Sequence, residues 1–299
     1  MKADWAIDHG DIIGSKYEVQ QLFAEEYFPA TILLSKKDSD EKKREALRSF
    51  AAVHSFPVIL KPDLLKGLGV VKLSCDEDIL SCVPLLFSDY LCQAFIVGKE
   101  YSLFYVERGL PSLTITGKNK PMVIGDGVSS LKKLALAHPR FSEHWHSFLH
   151  YHDLDVVLSK GEEKQLSFIS HTLSEFVDAS FLITEELKKT VYAMCQPVDG
   201  FSYGRMDVLA KDDEALKRGE FLAVEMNGIT AQPTFLFDPK YSVWQAWEIW
   251  FTHVSDLVAI AKEHRDVEQK TLPLKEIIRL EKEIDQTVRK QHEALMKKF

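Results

Sequence analysis

The residue types with the most chemical potential lie close together in two short segments, GRMDVLA at 204–210 and AVEMNG at 223–228. Side chains alternate across an extended strand, so Arg205 and Asp207 share one face of the first segment, and Glu225 and Asn227 share one face of the second. Pairing the segments as a hairpin would bring two carboxylates, one amide oxygen and one guanidinium together. Hard oxygen ligands of that kind suit Mg²⁺, and an arginine suits a phosphate or acyl-phosphate oxygen. The same spacing also describes an ordinary cross-strand Arg–Glu pair on a surface, which contributes little.

Upstream, Lys61 closes the apolar run FPVILKPD (56–63), and Gly67 and Gly69 follow it. Glycines let backbone N–H groups come close to phosphate oxygens, and a lysine supplies a point charge for them. An ordinary hairpin loop has the same composition. In QAFIVGKE (93–100), Gln93 and the backbone of Phe95, Ile96 and Val97 could run as an extended hinge that reads an adenine edge, with Glu100 placed to accept ribose hydroxyls. The sequence has no Walker motif, and no Ser-His-Asp or Cys-His elbow stands out.

In chain order the set is Lys16, Lys61 with its glycines, Gln93 with Glu100, Gly125-Asp126-Gly127, then Arg205, Asp207, Glu225 and Asn227. That order resembles the ATP-grasp superfamily of carboxylate-amine ligases, the group containing D-alanine:D-alanine ligases, bacterial glutathione synthetases and cyanophycin synthetase, and the likeness covers most of the chain. The resemblance implies that Lys61 and Lys16 contact ATP phosphates under the Gly67 and Gly69 loop. It places Gln93 and the Phe95, Ile96 and Val97 backbone at adenine, and Glu100 at ribose. Asp207, Glu225 and Asn227 would hold Mg²⁺, with Mn²⁺ as a substitute, and Arg205 and Lys61 would be the catalytic residues. The implied reaction joins a carboxylate to an amine through an acyl phosphate. A nucleotide-binding sensor or scaffold that has lost chemistry, and a kinase-like phosphoryl transferase, are the alternatives.

The resemblance also implies an α+β architecture: a lid subdomain at 16–95, a core subdomain with the metal site at 96–265 and a C-terminal helix at 266–299, behind a short N-terminal segment at 1–15. The α/β domain that usually precedes this fold is expected to be largely absent. A large acceptor such as a peptide, a second copy, or a partner subunit would then complete the substrate wall.

These residues need elements to position them. Apolar spacing and caps predict helices over 15–28, 39–54, 76–88, 129–152, 184–195, 241–265 and 273–297, the last two separated at Thr271-Leu272-Pro273. Strands are expected at 31–34, 56–63, 93–97, 100–106, 112–116, 203–210 and 221–227, with another following the glycines near 70 and one within 162–170. A charged loop, KDDEALKRGE, joins the last pair.

The 299 residues carry a net charge of −8 and 45% hydrophobic residues, with 14 Gly and 11 Pro, which fits a folded globular chain and excludes disorder. The acidic balance argues against a nucleic-acid surface, and no apolar run long enough to span a bilayer occurs. The start, MKADWAIDHGD, lacks the apolar centre of an export leader, so the expectation is a cytoplasmic protein. Cys75, Cys82, Cys92 and Cys195 form no CxxC pair and read as reduced core thiols. His138, His144, His146, His150 and His152 read as a rim helix in preference to a metal site. Trp244, Trp247 and Trp250 with Phe251 and Val254 read as core packing. The stripe of Leu274, Ile277, Ile278, Ile284, Val288 and Leu295 reads as a helix folding back over the domain in preference to a dimer seam.

Overall fold

The computed structural model describes residues 14–64, 69–108, 110–138, 153–166, 174–265 and 273–296. Its strands form two main antiparallel sheets whose alternation sorts apolar from polar side chains. The first sheet contains β1 (Thr31–Leu34), β2 (Val58–Pro62), β3 (Val71–Leu73) and β4 (Tyr90–Ala94) in the order β1-β4-β2-β3. Leu34, Val58, Leu60, Tyr90 and Cys92 point to one face, where α2 (Asp40–His54) and α3 (Asp76–Cys82) supply Leu47, Phe50 and Ile79. Full burial of a side chain such as Leu60 contributes about 1.5–3 kcal/mol. The opposite face presents Lys61 and Gln93 on alternate positions, and these two side chains meet.

The second sheet has the order β11-β10-β5-β6-β9, from β5 (Lys99–Arg108), β6 (Leu110–Asn119), β9 (Glu175–Asp178), β10 (Tyr203–Ala210) and β11 (Leu222–Asn227). One face buries Leu103, Tyr105, Ile115, Met206 and Val208 against Leu187, Val191 and Met194 of α5 (Glu185–Cys195). The other carries Glu100, Ser102, Lys118, Arg205 and Asp207, and its far end is covered by Leu257 and Ile260 of α7 (Val243–Glu263) packing on Phe104 and Tyr203. The polar residues therefore sit on the part of the face that α7 leaves open. A small sheet of β7 (Met122–Ile124) and β8 (Glu163–Gln165) packs with α4 (Leu131–Ala137) around Val123, Leu131 and Leu158.

Several expected elements are shorter or different. The helix expected over 15–28 is α1 (Lys16–Gln20), capped by the Ser15 hydroxyl, followed by a 3-10 turn at Glu25–Tyr27. Breaking the helix lets Val19, Phe23 and Phe28 all enter one core, with the Phe23 ring edge-on to Phe201. The strand expected at 93–97 is displaced to Tyr90–Ala94, because its ladder partners end at Thr31 and Val58, and 95–97 leaves the sheet as extended chain. The charged loop after β10 contains α6 (Asp213–Lys217), initiated by the Asp212 carboxylate accepting from the Ala215 N–H and buried through Ala215 and Leu216. Most of the histidine segment, 139–152, lies outside the described residues.

The aromatic stripe of α7 is not core. Trp244 is 84% exposed, and Trp247 and Phe251 are more than half exposed, while Leu257 and Ile260 on the opposite side are buried. Both faces of this helix are apolar, so periodicity alone selects the wrong one. The last helix, α8 (Leu274–Met296), does fold back at its end, where Leu295 is buried in the core of the first sheet. Cys82, Cys92 and Cys195 are buried free thiols, and burial pushes Cys82 and Cys92 up to about 12. Among the described residues no helix is long and apolar enough to cross a membrane.

Candidate functional site

The hairpin of β10 and β11 pairs Arg205 with Asn227 and Asp207 with Glu225, so the four residues expected to converge are direct cross-strand neighbours. Immediately beyond, Asp207 faces Glu225 while Val208 faces Ala223, which leaves Val224 as the extra residue of a β-bulge. A bulged residue has no ladder partner on its own sheet. The Val224 carbonyl instead accepts from Lys61 Nζ at 2.6 Å, across from the first sheet.

Lys61 is held from its own side as well. Its Nζ donates to Gln93 Oε1 at 3.1 Å, Gln93 Nε2 donates to the Thr31 hydroxyl at 3.0 Å, and that hydroxyl donates to the Pro29 carbonyl at 2.8 Å. Burial of the ammonium lowers its pKa to about 8, opposed by the Glu225 carboxylate and assisted by the neighbouring Lys16 charge. Lys16 arrives from the start of α1, which is tied to the end of β2. The Lys16 N–H donates to the Asp63 carbonyl at 3.1 Å and the Tyr17 N–H to Asp63 Oδ1 at 2.9 Å. Its Nζ lies 3.5 Å from Glu225 Oε1.

A second charged cluster adjoins the first. Asp207 Oδ1 accepts from the Ser102 hydroxyl at 2.6 Å, pairs with Lys118 Nζ at 2.9 Å and accepts from Arg205 Nε at 3.2 Å. Lys118 also bridges to Glu100 Oε1 at 3.1 Å, and all three side chains of this lysine bridge are nearly buried. Burial opposes the charge on Asp207, but Arg205 and Lys118 beside it hold the carboxyl well below the usual range. Burial likewise opposes the charge on Lys118, and the Asp207 and Glu100 carboxylates outweigh it, so its pKa is raised. Two residues on, burial lowers the pKa of Lys120.

Asn227 completes the set. It is buried, and its Nδ2 finds no partner among the described residues. Native interiors rarely leave such an amide unpaired, and a flip exchanges its nitrogen and oxygen, so this is a group that a ligand would complete. Two carboxylates and an amide supply the hard oxygen donors that Mg²⁺ takes. No group of three or more His, Cys, Asp or Glu that could hold a metal occurs among the described residues, so a cation here would depend on the amide. The residues fit such an ion beside a polyphosphate, with Lys16, Lys61 and Arg205 supplying positive charge around it.

The remaining expected residues are placed as follows. Gly67 lies outside the described residues. Gly69 has φ +79, and a Cβ there would sit 2.9 Å from the Tyr90 hydroxyl oxygen, which donates to the Gly69 carbonyl. Gln93 has both ends of its amide engaged, so in this structure it positions Lys61. Phe95 lies under the Lys72 ammonium, 5.5 Å from ring centroid to Nζ, Ile96 is half-buried, and Val97 is exposed. The Glu100 carboxylate, expected to face ribose, is engaged by Lys118. The Gly125-Asp126-Gly127 segment is a tight turn in which Asp126 Oδ1 accepts from the Val128 and Ser129 N–H groups, and a Cβ on Gly125 would lie 2.1 Å from the Ser159 carbonyl. These backbone bonds hold the Asp126 carboxyl down to about 2.

Sequence reasoning missed Lys118, Ser102, Thr31 and Asp63. The signal for Lys118 was present: β5 and β6 pair antiparallel, and their register sets Glu100 opposite Lys118 and Ser102 opposite Thr116.

No protein-family model matches the sequence, and no curated protein matches it. Among solved structures, the chain is similar to a bifunctional glutathione synthetase from Pasteurella multocida, at 18% identity over 79% of this chain and 36% of that one, with a TM-score of 0.41. It is similar to a D-alanine–D-alanine ligase from Bacillus anthracis at 15% identity, covering 90% of this chain and 68% of that one, with a TM-score of 0.47. It is also similar to the ATP-grasp ligase PsnB complexed with a minimal precursor, at 15% identity over 77% of this chain and 55% of that one, with a TM-score of 0.41. The chain thus spans about a third of the synthetase, half of PsnB and two thirds of the D-alanine ligase.

Proposed function

We propose that the cleft between the two sheets binds ATP with Mg²⁺ and that the protein uses it to join a carboxylate to an amine or a peptide acceptor. One observation carries the reading: the facing pair Asp207 and Glu225, with the unpartnered Asn227 Nδ2 beside it, lies where a half-buried lysine crosses from the other sheet to the Val224 carbonyl. A surface Arg–Glu pair needs neither the buried amide nor the lysine.

Asp207, Glu225 and Asn227 would hold Mg²⁺, which would supply positive charge to offset that of a phosphoryl group in transfer. Lys61 approaches from the first sheet and Lys16 from the start of α1, and both would bind phosphate oxygens as point charges. Arg205 keeps its charge at any working pH, and its fork geometry matches the equatorial oxygens of a phosphoryl group. The substrate carboxylate attacks the terminal phosphorus as the bond to ADP breaks, giving an acyl phosphate. The amine nitrogen then forms the C–N bond, phosphate leaves with the electron pair, and the nitrogen gives up its proton. No protein nucleophile is needed, in keeping with buried cysteines whose thiols are held protonated.

The test is incubation with ATP and Mg²⁺ against pools of carboxylates, amines and short peptides, reading phosphate release and product mass. Release that requires both a carboxylate and an amine, with an amide product, supports the ligase. A phosphorylated product without amide would replace it with a phosphoryl transferase. Thermal stabilisation by Mg²⁺-ATP with no turnover in any pool would replace it with a nucleotide-binding sensor or scaffold.

A further inference from the structure

We infer that the exposed side of α7 is a homodimer seam, in which two copies of this helix pack antiparallel about a two-fold axis. Trp244, Trp247, Phe251, Val254, Val258 and Ala261 recur at alternating spacings of three and four residues along one stripe. This stripe is separate from the buried side that seats Leu257 and Ile260 on the second sheet. Trp244 is 84% exposed, Phe251 57% and Trp247 51%. The Trp247 ring lies stacked with Phe251, at 5.7 Å between centroids, so the stripe is already arranged as one surface.

Three properties select a second copy as the occupant. The stripe is graded in size, with bulky aromatics in its N-terminal half and Val254, Val258 and Ala261 in its C-terminal half. Antiparallel pairing would set Trp244 against Ala261, Trp247 against Val258 and Phe251 against Val254 of the other copy, large against small in every layer. The flanking charges are complementary in the same arrangement. Glu248 borders the aromatic half and Lys262 the small half, so Glu248 of each copy would face Lys262 of the other, giving two such pairs about the two-fold axis. The exposed apolar area of the stripe is about 500 Å² per copy, so a pair would bury about 1,000 Å² in total, the lower bound for a specific interface. A lipid surface fits less well, because Glu248 stands beside the stripe where an interfacial helix carries basic residues.

The experiment is sedimentation velocity of the full chain across micromolar concentrations. Wild type is expected to reach a dimer. Trp247→Glu should raise the dissociation constant about 30-fold or more. Glu248→Lys and Lys262→Glu should each weaken the dimer several-fold, and the double exchange should restore it. Circular dichroism establishes that each variant is folded, and the exchanged pair tests the seam even if the tryptophan variant is not. A monomer at every concentration overturns the inference, and so does a dimer that neither Trp247→Glu nor the single charge reversals change. Monomeric protein that sediments with lipid vesicles through Trp247 would also overturn it, in favour of a membrane surface.

Discussion

Replacing Lys61 by methionine should stabilise the protein at neutral pH and destabilise it at high pH. The Lys61 ammonium is enclosed between the sheets, and its pKa falls to about 8. In the unfolded chain a lysine titrates near 10.4, so the folded state binds this proton more weakly. Below pH 8 the protonated lysine therefore opposes folding by about 3 kcal/mol, and the penalty is relieved as pH rises from about 8 to 10.4. Methionine removes that penalty at every pH but also removes the hydrogen bonds to Val224 and Gln93, worth about 1 kcal/mol each. The variant should then be about 1 kcal/mol more stable than wild type at pH 7 and about 1 kcal/mol less stable at pH 10. Urea unfolding of both proteins at the two pH values reads the difference directly. A difference of the same sign and size at both pH values would refute the assignment of a charged Lys61 ammonium desolvated between the sheets.

Glu225→Gln should leave the fold intact and abolish stabilisation by Mg²⁺-ATP, measured by thermal shift with and without the metal. Lys118→Met strands the Asp207 and Glu100 carboxylates together in a nearly buried site and should cost about 3–5 kcal/mol in urea unfolding at pH 7. Asp178 gives an acid-side prediction. Burial opposes its charge, yet the Tyr241 hydroxyl, Lys240 and Ser180 hold its carboxyl well below the ordinary value. Its contribution is present above about pH 4 and lost as pH falls through the folded-state value. Asp178→Asn should therefore flatten the loss of stability below about pH 4, seen as a shallower fall of the unfolding midpoint with acid.

How far the site could be read from sequence follows from which physical rule governed each part. Strand alternation fixes faces, so Arg205 with Asn227 and Asp207 with Glu225 were legible once a hairpin was assumed. The bulge at Val224 was not, because nothing in AVEMN marks the extra residue, yet it is the bulge that frees a carbonyl for Lys61. Ser15 and Thr184 were legible as helix caps, since a cap is a local matter of one side chain and one N–H. The path of 15–28 was decided by long-range demands, the tie of α1 to Asp63 and the burial of Phe23 and Phe28, which no local pattern contains. Gln93 and Glu100 were legible as polar residues beside a hinge, but their partners, Lys61 and Lys118, depend on register between distant strands. On α7 two apolar faces compete for one core, and only the packed structure shows which lost.

The most direct test of the central claim is calorimetric titration of wild type and Lys61→Met with Mg²⁺ and a non-hydrolysable ATP analogue. Wild type is expected to show one saturable site that disappears when the metal is chelated and is lost in the folded Lys61→Met variant. Equal binding by the two proteins, or no binding by wild type, would contradict a nucleotide site between the two sheets.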